Sequence, residues 1–440
     1  MLAKKNDVFL PVCLIGFLIH TYLLWPGALY IDAITALSIA QTGNHSTHIP
    51  PIFTYLWSFL WPHQLETAGM FVVQSMMLWG TFYFMGCAAS EVSRRHKTES
   101  WLRFSYPLFA LYPAVLLYSY YMSRDNHFLY ALTLGISFLI FQHLREKPFR
   151  PWHIVSILVL FFYALSIKYQ VRFVFPLLLF WLVAAALPAV FEKVHKILLV
   201  LGVCCIAYGA TTASDAFSQR IAGQKSEFVS WQYIKMYELA GLSVRLDEFV
   251  LPDFLKARED VTVDDLKERY DTDEVQFKNL WEYLVRVQGA PLRSPQNKEE
   301  RDILVSVWEK EVGEHPWLYV AHRFKLFRGM FDASNVKFMI KEKLNIVVSH
   351  PIFDWLGYLF SYIMLLPFTI FLLWQGWQQR QTAAGHHCLM MSLLALGYFG
   401  VLGVKTLSGA PRYMYPPLFF TLLGMPLAFQ LWFAKRRQKT

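Results

Sequence analysis

Apolar runs of roughly membrane-spanning length recur through the chain, and they constrain its fold more than any other feature. They lie near 8–25, 68–89, 104–122, 127–144, 153–167, 174–191, 196–213, 352–374, 386–404 and 415–434. A transmembrane helix needs about 20 largely apolar residues. The pattern therefore predicts an all-α polytopic membrane protein with about ten transmembrane helices. Only 17% of the residues are charged, against about 25% in a soluble domain. Polar ends on the third and fourth runs suggest a tight helical hairpin there. The first run lacks a small-x-small cleavage site and leads straight into Trp25-Pro26-Gly27, so it reads as a retained helix rather than a signal peptide.

Charge placement predicts an orientation. The stretch 214–350 holds 20 Lys+Arg and 23 Asp+Glu, a net of −3, so the excess behind the overall +9 lies beside the apolar runs. A basic nucleic-acid surface is thereby disfavoured. With ten spans both termini share a side. One set of span ends carries 16 basic residues, from Lys4 and Lys5 to the C-terminal Lys435, Arg436, Arg437 and Lys439; the opposite short loops carry five, Arg124, Lys168, Arg172, Lys405 and Arg412. Positive-inside topology makes the richer side cytoplasmic. Both termini are then cytoplasmic, and 214–350 faces outward, into the periplasm if the membrane is a bacterial inner membrane. The expected organisation is an N-terminal bundle over 1–213 with a first outward loop at 26–66, a mostly helical outward domain over 214–350, and C-terminal spans over 351–440.

The outward segment carries candidate helices near 229–241, 262–270, 274–288, 298–313 and 317–331. Thr262, followed by Asp264 and Asp265, reads as a capped start. The helix at 317–331 sets Trp317, Val320, Ala321, Phe324 and Phe327 on one stripe, with His322, Arg323, Lys325 and Arg328 elsewhere, the pattern of a helix lying in the membrane interface. All five cysteines, Cys13, Cys87, Cys204, Cys205 and Cys388, sit in apolar runs. Their spacing suggests no zinc site.

Outside 214–350 there are nine acids. Asp32 and Asp125 stand apart, set in otherwise apolar or aromatic helix mouths. An intramembrane or mouth carboxylate is a functional candidate by default. Asp32 falls in the first turn of a helical run starting near Tyr30, where the helix dipole favours a carboxylate. It could be a dipole-stabilised surface acid, or a general base accepting a proton from an attacking hydroxyl or amine. Downstream, His48 precedes Pro50-Pro51, as an exposed side chain in a stiff re-entry or as a phosphate contact. His45, His48 and His63 lack tight ligand spacing, so no metal ligand is assigned. No cofactor is assigned, and room is left for a divalent metal.

The five outward cations either snorkel to lipid phosphates or converge on an anionic ligand. Arg124 and Asp125 could form a local ion pair, or Arg124 could hold a phosphate while Asp125 orients hydroxyls. Lys168 and Arg172, four apart, would share a helix face. Arg412-Tyr413, between Pro411 and Pro416, suits phosphate recognition by a held guanidinium.

These residues together resemble the GT-C superfamily of integral-membrane glycosyltransferases, which includes the protein O-mannosyltransferases and the lipid A aminoarabinose transferase. The chain is more similar to uncharacterised bacterial members. The resemblance rests on the opening Pro26-Gly27 with Asp32, the later His48 with Pro50-Pro51, the Arg412, Tyr413, Pro416 motif, and His315, Pro316, Tyr319, His322 and Arg323 in the interfacial helix. It implies a sugar donor on a polyprenyl phosphate, inversion at the anomeric carbon, and Asp32 as catalytic base. The mannosyltransferases carry an Asp-Glu pair in this loop; here Ala33 follows Asp32, so their substrate does not transfer. The implied partners are a lipid-linked sugar donor, a glycan, lipid or protein acceptor, and membrane lipids. A flippase or transporter of lipid-linked or anionic solutes, a glycan polymerase or ligase, and a membrane scaffold are the competing readings.

Overall fold

The computed structural model describes residues 8–29, 31–45, 49–60, 67–98, 100–188, 194–222, 230–270, 285, 290–329, 362–405 and 411–437. It is an all-α protein. In chain order the helices are α1 (Phe9–Leu24), α2 (Ile31–Thr42), α3 (Pro51–Leu60), α4 (Ala68–His96), α5 (Ser105–Leu108), α6 (Pro113–Tyr120), α7 (Arg124–Leu144), α8 (Pro151–Ile167), α9 (Val171–Ala186) and α10 (Lys196–Ile221). There follow α11 (Ser230–Leu246), α12 (Val263–Arg269), α13 (Lys298–Glu314), α14 (Pro316–Gly329), α15 (Tyr362–Gln378), α16 (Ala383–Lys405) and α17 (Tyr415–Arg437). Two short strands, β1 (Ala28–Leu29) and β2 (Tyr121–Met122), pair in parallel.

The chain divides into two compact units. The first comprises 1–225, 364–398 and 416–440; the second comprises 226–363 and 399–415. Among the described residues five helical stretches are long and apolar enough to cross a membrane, by length and composition: Ala68–His96, Arg124–Leu144, Lys196–Ile221, Ala383–Val404 and Arg412–Arg437. α1, α8 and α9 are apolar but shorter. α10 buries only Leu199, Val203, Ala207 and Ser214, and exposes Ile197, Leu198, Val200, Leu201, Ile206 and Tyr208. A helix this apolar on its open faces is suited to a lipid surround.

Two expectations change. The run at 104–122 is not one helix. It breaks into a 3-10 turn, α5, which contains Pro107, a second 3-10 turn, and α6, which opens at Pro113; each proline removes a helix donor and clashes with the preceding turn. Among the described residues the stretch 26–66 holds the helical run expected near Tyr30, as α2, and a further helix, α3, that the sequence reading did not place. They are tied by Ser58 Oγ donating to the Ala40 carbonyl at 3.0 Å and by His45 Nδ1 against Thr54 Oγ1 at 2.8 Å.

Inside the first unit, helices are fastened by buried polar pairs, a common device where lipid gives no hydrophobic drive between helices. Thr369 meets Thr421 at 2.7 Å, Gln430 donates to Ala89 O and Ser93 Oγ, and Trp181 Nε1 donates to His387 Nδ1 at 3.0 Å.

The second unit has its own core, built on α11: Tyr233, Met236, Tyr237, Leu239, Ala240 and Leu242 pack with Leu251, Leu255, Leu266, Tyr270, Leu292 and Leu304. α12 starts as the sequence suggests, with the Thr262 N–H donating to Asp265 Oδ2 at 2.9 Å. The candidate helix at 274–288 lies almost wholly outside the described residues.

α14 turns its sides in an unusual way. Trp317, Val320 and Phe324 are exposed, while His322 and Arg323 are buried in the second unit. Arg323 Nη1 meets Glu238 Oε1 at 3.0 Å, and Glu238 also accepts from Trp308 Nε1 at 2.6 Å and Tyr319 OH at 3.4 Å. His322 Nδ1 lies 2.7 Å from Tyr270 OH, beneath Gly241, where an added Cβ would fall within 2.6 Å of both side chains.

Burial, reinforced by Arg323, Arg245 and Lys325, pushes His322 down from 6.5 to about 3. The unfolded chain therefore binds a proton there first, so stability rises with pH across this window. The second unit is expected to lose up to about 4 kcal/mol between pH 7 and pH 3 through this group alone. Hydrogen exchange of the α11 and α14 amides against pH measures it. His322→Gln should flatten that slope.

Candidate functional site

The two-residue β pairing builds the site. Ala28 pairs with Tyr121 and Leu29 with Met122, in parallel. Beyond each strand, after a single residue, a helix begins: α2 at Ile31 and α7 at Arg124. The starts of the two helices are thus brought level, and the second residue of each is an aspartate, Asp32 and Asp125. Ser123 caps α7 by accepting from the Asn126 N–H at 3.2 Å.

The turn before β2 is held from within the bundle. Gln74 Nε2 donates to Ser119 O at 2.9 Å and Tyr121 O at 3.2 Å, Asn126 Nδ2 donates to Tyr121 O at 2.6 Å, and His20 Nε2 lies 2.8 Å from Ser119 Oγ. On the other strand Gly27 sits at φ +80°, where a Cβ would come 2.8 Å from the Phe71 ring. Gly27→Ala is expected to cost about 1–2 kcal/mol from backbone conformation alone, plus the ring clash. Thermal unfolding in detergent measures it, and β1 should lose amide protection with it.

Three ion pairs follow. Arg124 Nη2 reaches across to Asp32 Oδ2 at 3.2 Å, with both side chains 30% exposed. Lys168 Nζ donates to Asp125 Oδ1. Arg172 grips Asp215 through both terminal nitrogens, Nη1 to Oδ2 at 3.0 Å and Nη2 to Oδ1. The Arg172 guanidinium also lies 4.8 Å from the centre of the Tyr169 ring. Nearby, Ser214 Oγ donates to Ser166 Oγ at 2.9 Å. Among the described residues, the Nε–H groups of both Arg124 and Arg172 are buried without an acceptor.

The pairing differs from the local readings of the sequence. Arg124 does not pair with its neighbour Asp125, because adjacent helix residues point in different directions. Nor do Lys168 and Arg172 share a helix face. Lys168 is the extended residue that ends α8, and α9 begins at Val171, so the two cations go to different acids. Asp215 belongs with these residues although the boundary drawn at 214 assigned it to the polar segment. α10 continues without a break to Ile221, and an acid one step beyond an apolar run was the available signal.

Of the other candidates, Arg412 and Tyr413 lie in a 3-10 turn of the second unit, with the guanidinium 5.2 Å from the Tyr413 ring centre. Lys405 ends α16; its side chain lies outside the described residues, as does all of His48. His45 is buried and stacks on Tyr55, with ring centres 3.7 Å apart, a packing role. No protein-family model matches the chain, and no curated protein or solved structure matches it either.

Proposed function

We propose that the protein is a membrane glycosyltransferase that moves a sugar from a polyprenyl-phosphate donor to a glycan, lipid or protein acceptor on the outward face of a bacterial inner membrane. In this reading the chain crosses about ten times with both termini cytoplasmic. The observation that carries the proposal is the matched pair of helix starts, which sets Asp32 against Arg124 at a partly exposed position and Asp125 against the buried Lys168.

The chemistry needs little more. Asp32 takes the proton from an acceptor hydroxyl as that oxygen bonds to the anomeric carbon. The anomeric C–O bond to phosphate breaks, and its electron pair leaves with the lipid phosphate. Arg124 is within reach of both partners: its ion pair with Asp32 can give way to the donor phosphate, which frees the carboxylate as the donor arrives. Arg172, with its unsatisfied Nε–H, adds a second cation against the charge that develops on the leaving group. Asp125 orients hydroxyls while Lys168 neutralises it. Lys405, Arg412 and Tyr413 are retained as phosphate-recognition candidates of the second unit.

Mass spectrometry of envelope glycans from a deletion strain, set beside its complemented parent, tests the reading. Loss of one sugar modification in the deletion strain is expected. Unchanged glycans, with a lipid-linked sugar moved across proteoliposomes and no covalent product, would assign the protein to transport instead.

A further inference from the structure

The last turn of α13 presents an arrangement that the transfer chemistry does not use. Glu311, Glu314 and His315 fall at positions i, i+3 and i+4, so they share one side of the helix end. One ligand atom from each lies within 4.8 Å of the others. Glu311 is 7% exposed.

Two independent features call for a cation here. First, the negative end of a helix dipole disfavours carboxylates. The last turn of α13 nevertheless holds two acids and no basic residue, whereas α4 and α17 end in clusters of Arg, Lys or His. At its other end α13 follows the usual rule, with Glu299 and Glu300 in the first turn and Arg293 hydrogen-bonding Glu300 and holding its carboxyl below the usual range. Second, the charge on Glu311 is poorly met for its depth. Its described partner is Lys310, at 3.2 Å, whose side chain is 64% exposed and which must also serve Glu314 at 3.9 Å. Glu238, also buried, by contrast takes an arginine, an indole and a phenol. An exposed lysine pair is weakly held and swings away readily.

From this geometry we infer that Glu311, Glu314 and His315 bind one divalent transition ion of the zinc class. The imidazole selects against the hard, oxygen-only preference of calcium and magnesium. Bonds of about 2.0–2.2 Å to the ion draw the three donors together, and water completes the coordination. The ion has a structural consequence. His315 is the junction residue: its N–H donates to Glu311 O at 2.9 Å, and its carbonyl accepts from the Tyr319 N–H at 3.1 Å. Ligation therefore fixes the angle at which α14 leaves α13, and α14 carries His322 and Arg323 into the core of the second unit.

The test uses the full-length protein in detergent, purified without a histidine tag, stripped with chelator and titrated with Co2+ as a spectroscopic probe and with Zn2+. One saturable equivalent per chain is expected, with Zn2+ displacing Co2+ and raising amide protection across 311–323. Glu314→Gln, at an exposed position that leaves folding untouched, and His315→Gln should each weaken binding at least tenfold. Absence of saturable binding to the parent protein, or equal binding by Glu314→Gln and His315→Gln, overturns the assignment.

Discussion

Asp32→Asn is expected to reduce sugar transfer by about 10²–10⁴-fold, the range associated with a positioned general base. The substitution keeps the side chain's size and still offers Arg124 an oxygen, so the link between α2 and α7 survives and the protein should insert and fold as before. What it removes is the ability to accept a proton. Single-turnover transfer from a polyprenyl-phosphate sugar in proteoliposomes reads the effect directly. Arg124→Gln is the instructive companion. It leaves the carboxylate and deletes the cation, so its main signature should be weaker donor binding, seen as a raised KM. Transfer at the parent rate by Asp32→Asn would end the case for this carboxylate as the base.

The second large effect concerns stability. Glu238 and Arg323 are both nearly inaccessible, with side chains 2% and 7% exposed. Such a pair is a weak source of net stability, yet it is expensive to break: removing one partner strands the other, at a cost of about 3–5 kcal/mol. Arg323→Met is expected to loosen the second unit by that amount, because Trp308 and Tyr319 are neutral donors and do not replace the guanidinium charge. Arg323 Nη2 also donates to Gly403 O at 3.4 Å, so the short 399–405 end of α16 should lose protection together with α11 and α14. Adding Glu238→Gln to Arg323→Met should recover much of the loss. That non-additivity separates a stranded charge from simple loss of packing. Hydrogen–deuterium exchange over 230–329 and 399–405 provides the readout.

Much of the architecture was legible in the sequence because apolar runs report helices whatever surrounds them. α7, α16 and α17 begin and end close to where hydropathy places them, and α4 and α10 begin there but run about two turns further. Prolines were the weak point. Pro107 and Pro113 divide one apolar run into short pieces, and Pro51, read as a stiff re-entry, instead opens α3. At the site, the residue types were legible and their partners were not. Asp32, Arg124, Asp125, Lys168 and Arg172 stood out as charges in apolar surroundings, but an ion pair is set by which helices lie side by side. The pairing of 28–29 with 121–122 spans more than ninety residues and is too short to leave a strand pattern. Asp215 was hidden for a related reason. Its helix outlasts its apolar stretch by two turns, so composition changed before structure did. In α14 the amphipathic stripe was visible, and the burial of the polar side was not, since that depends on a carboxylate far back at 238.

The pairing of β1 and β2 also works as a gear. One residue separates each strand from its helix, at positions 30 and 123, and each further residue would turn the helix that follows by about 100°. An insertion on one side alone would swing its aspartate away from the opposing cation, while equal insertions on both sides would carry the two helices round together. Chain length at these two positions is therefore coupled, and the bundle tolerates variation there only in matched steps.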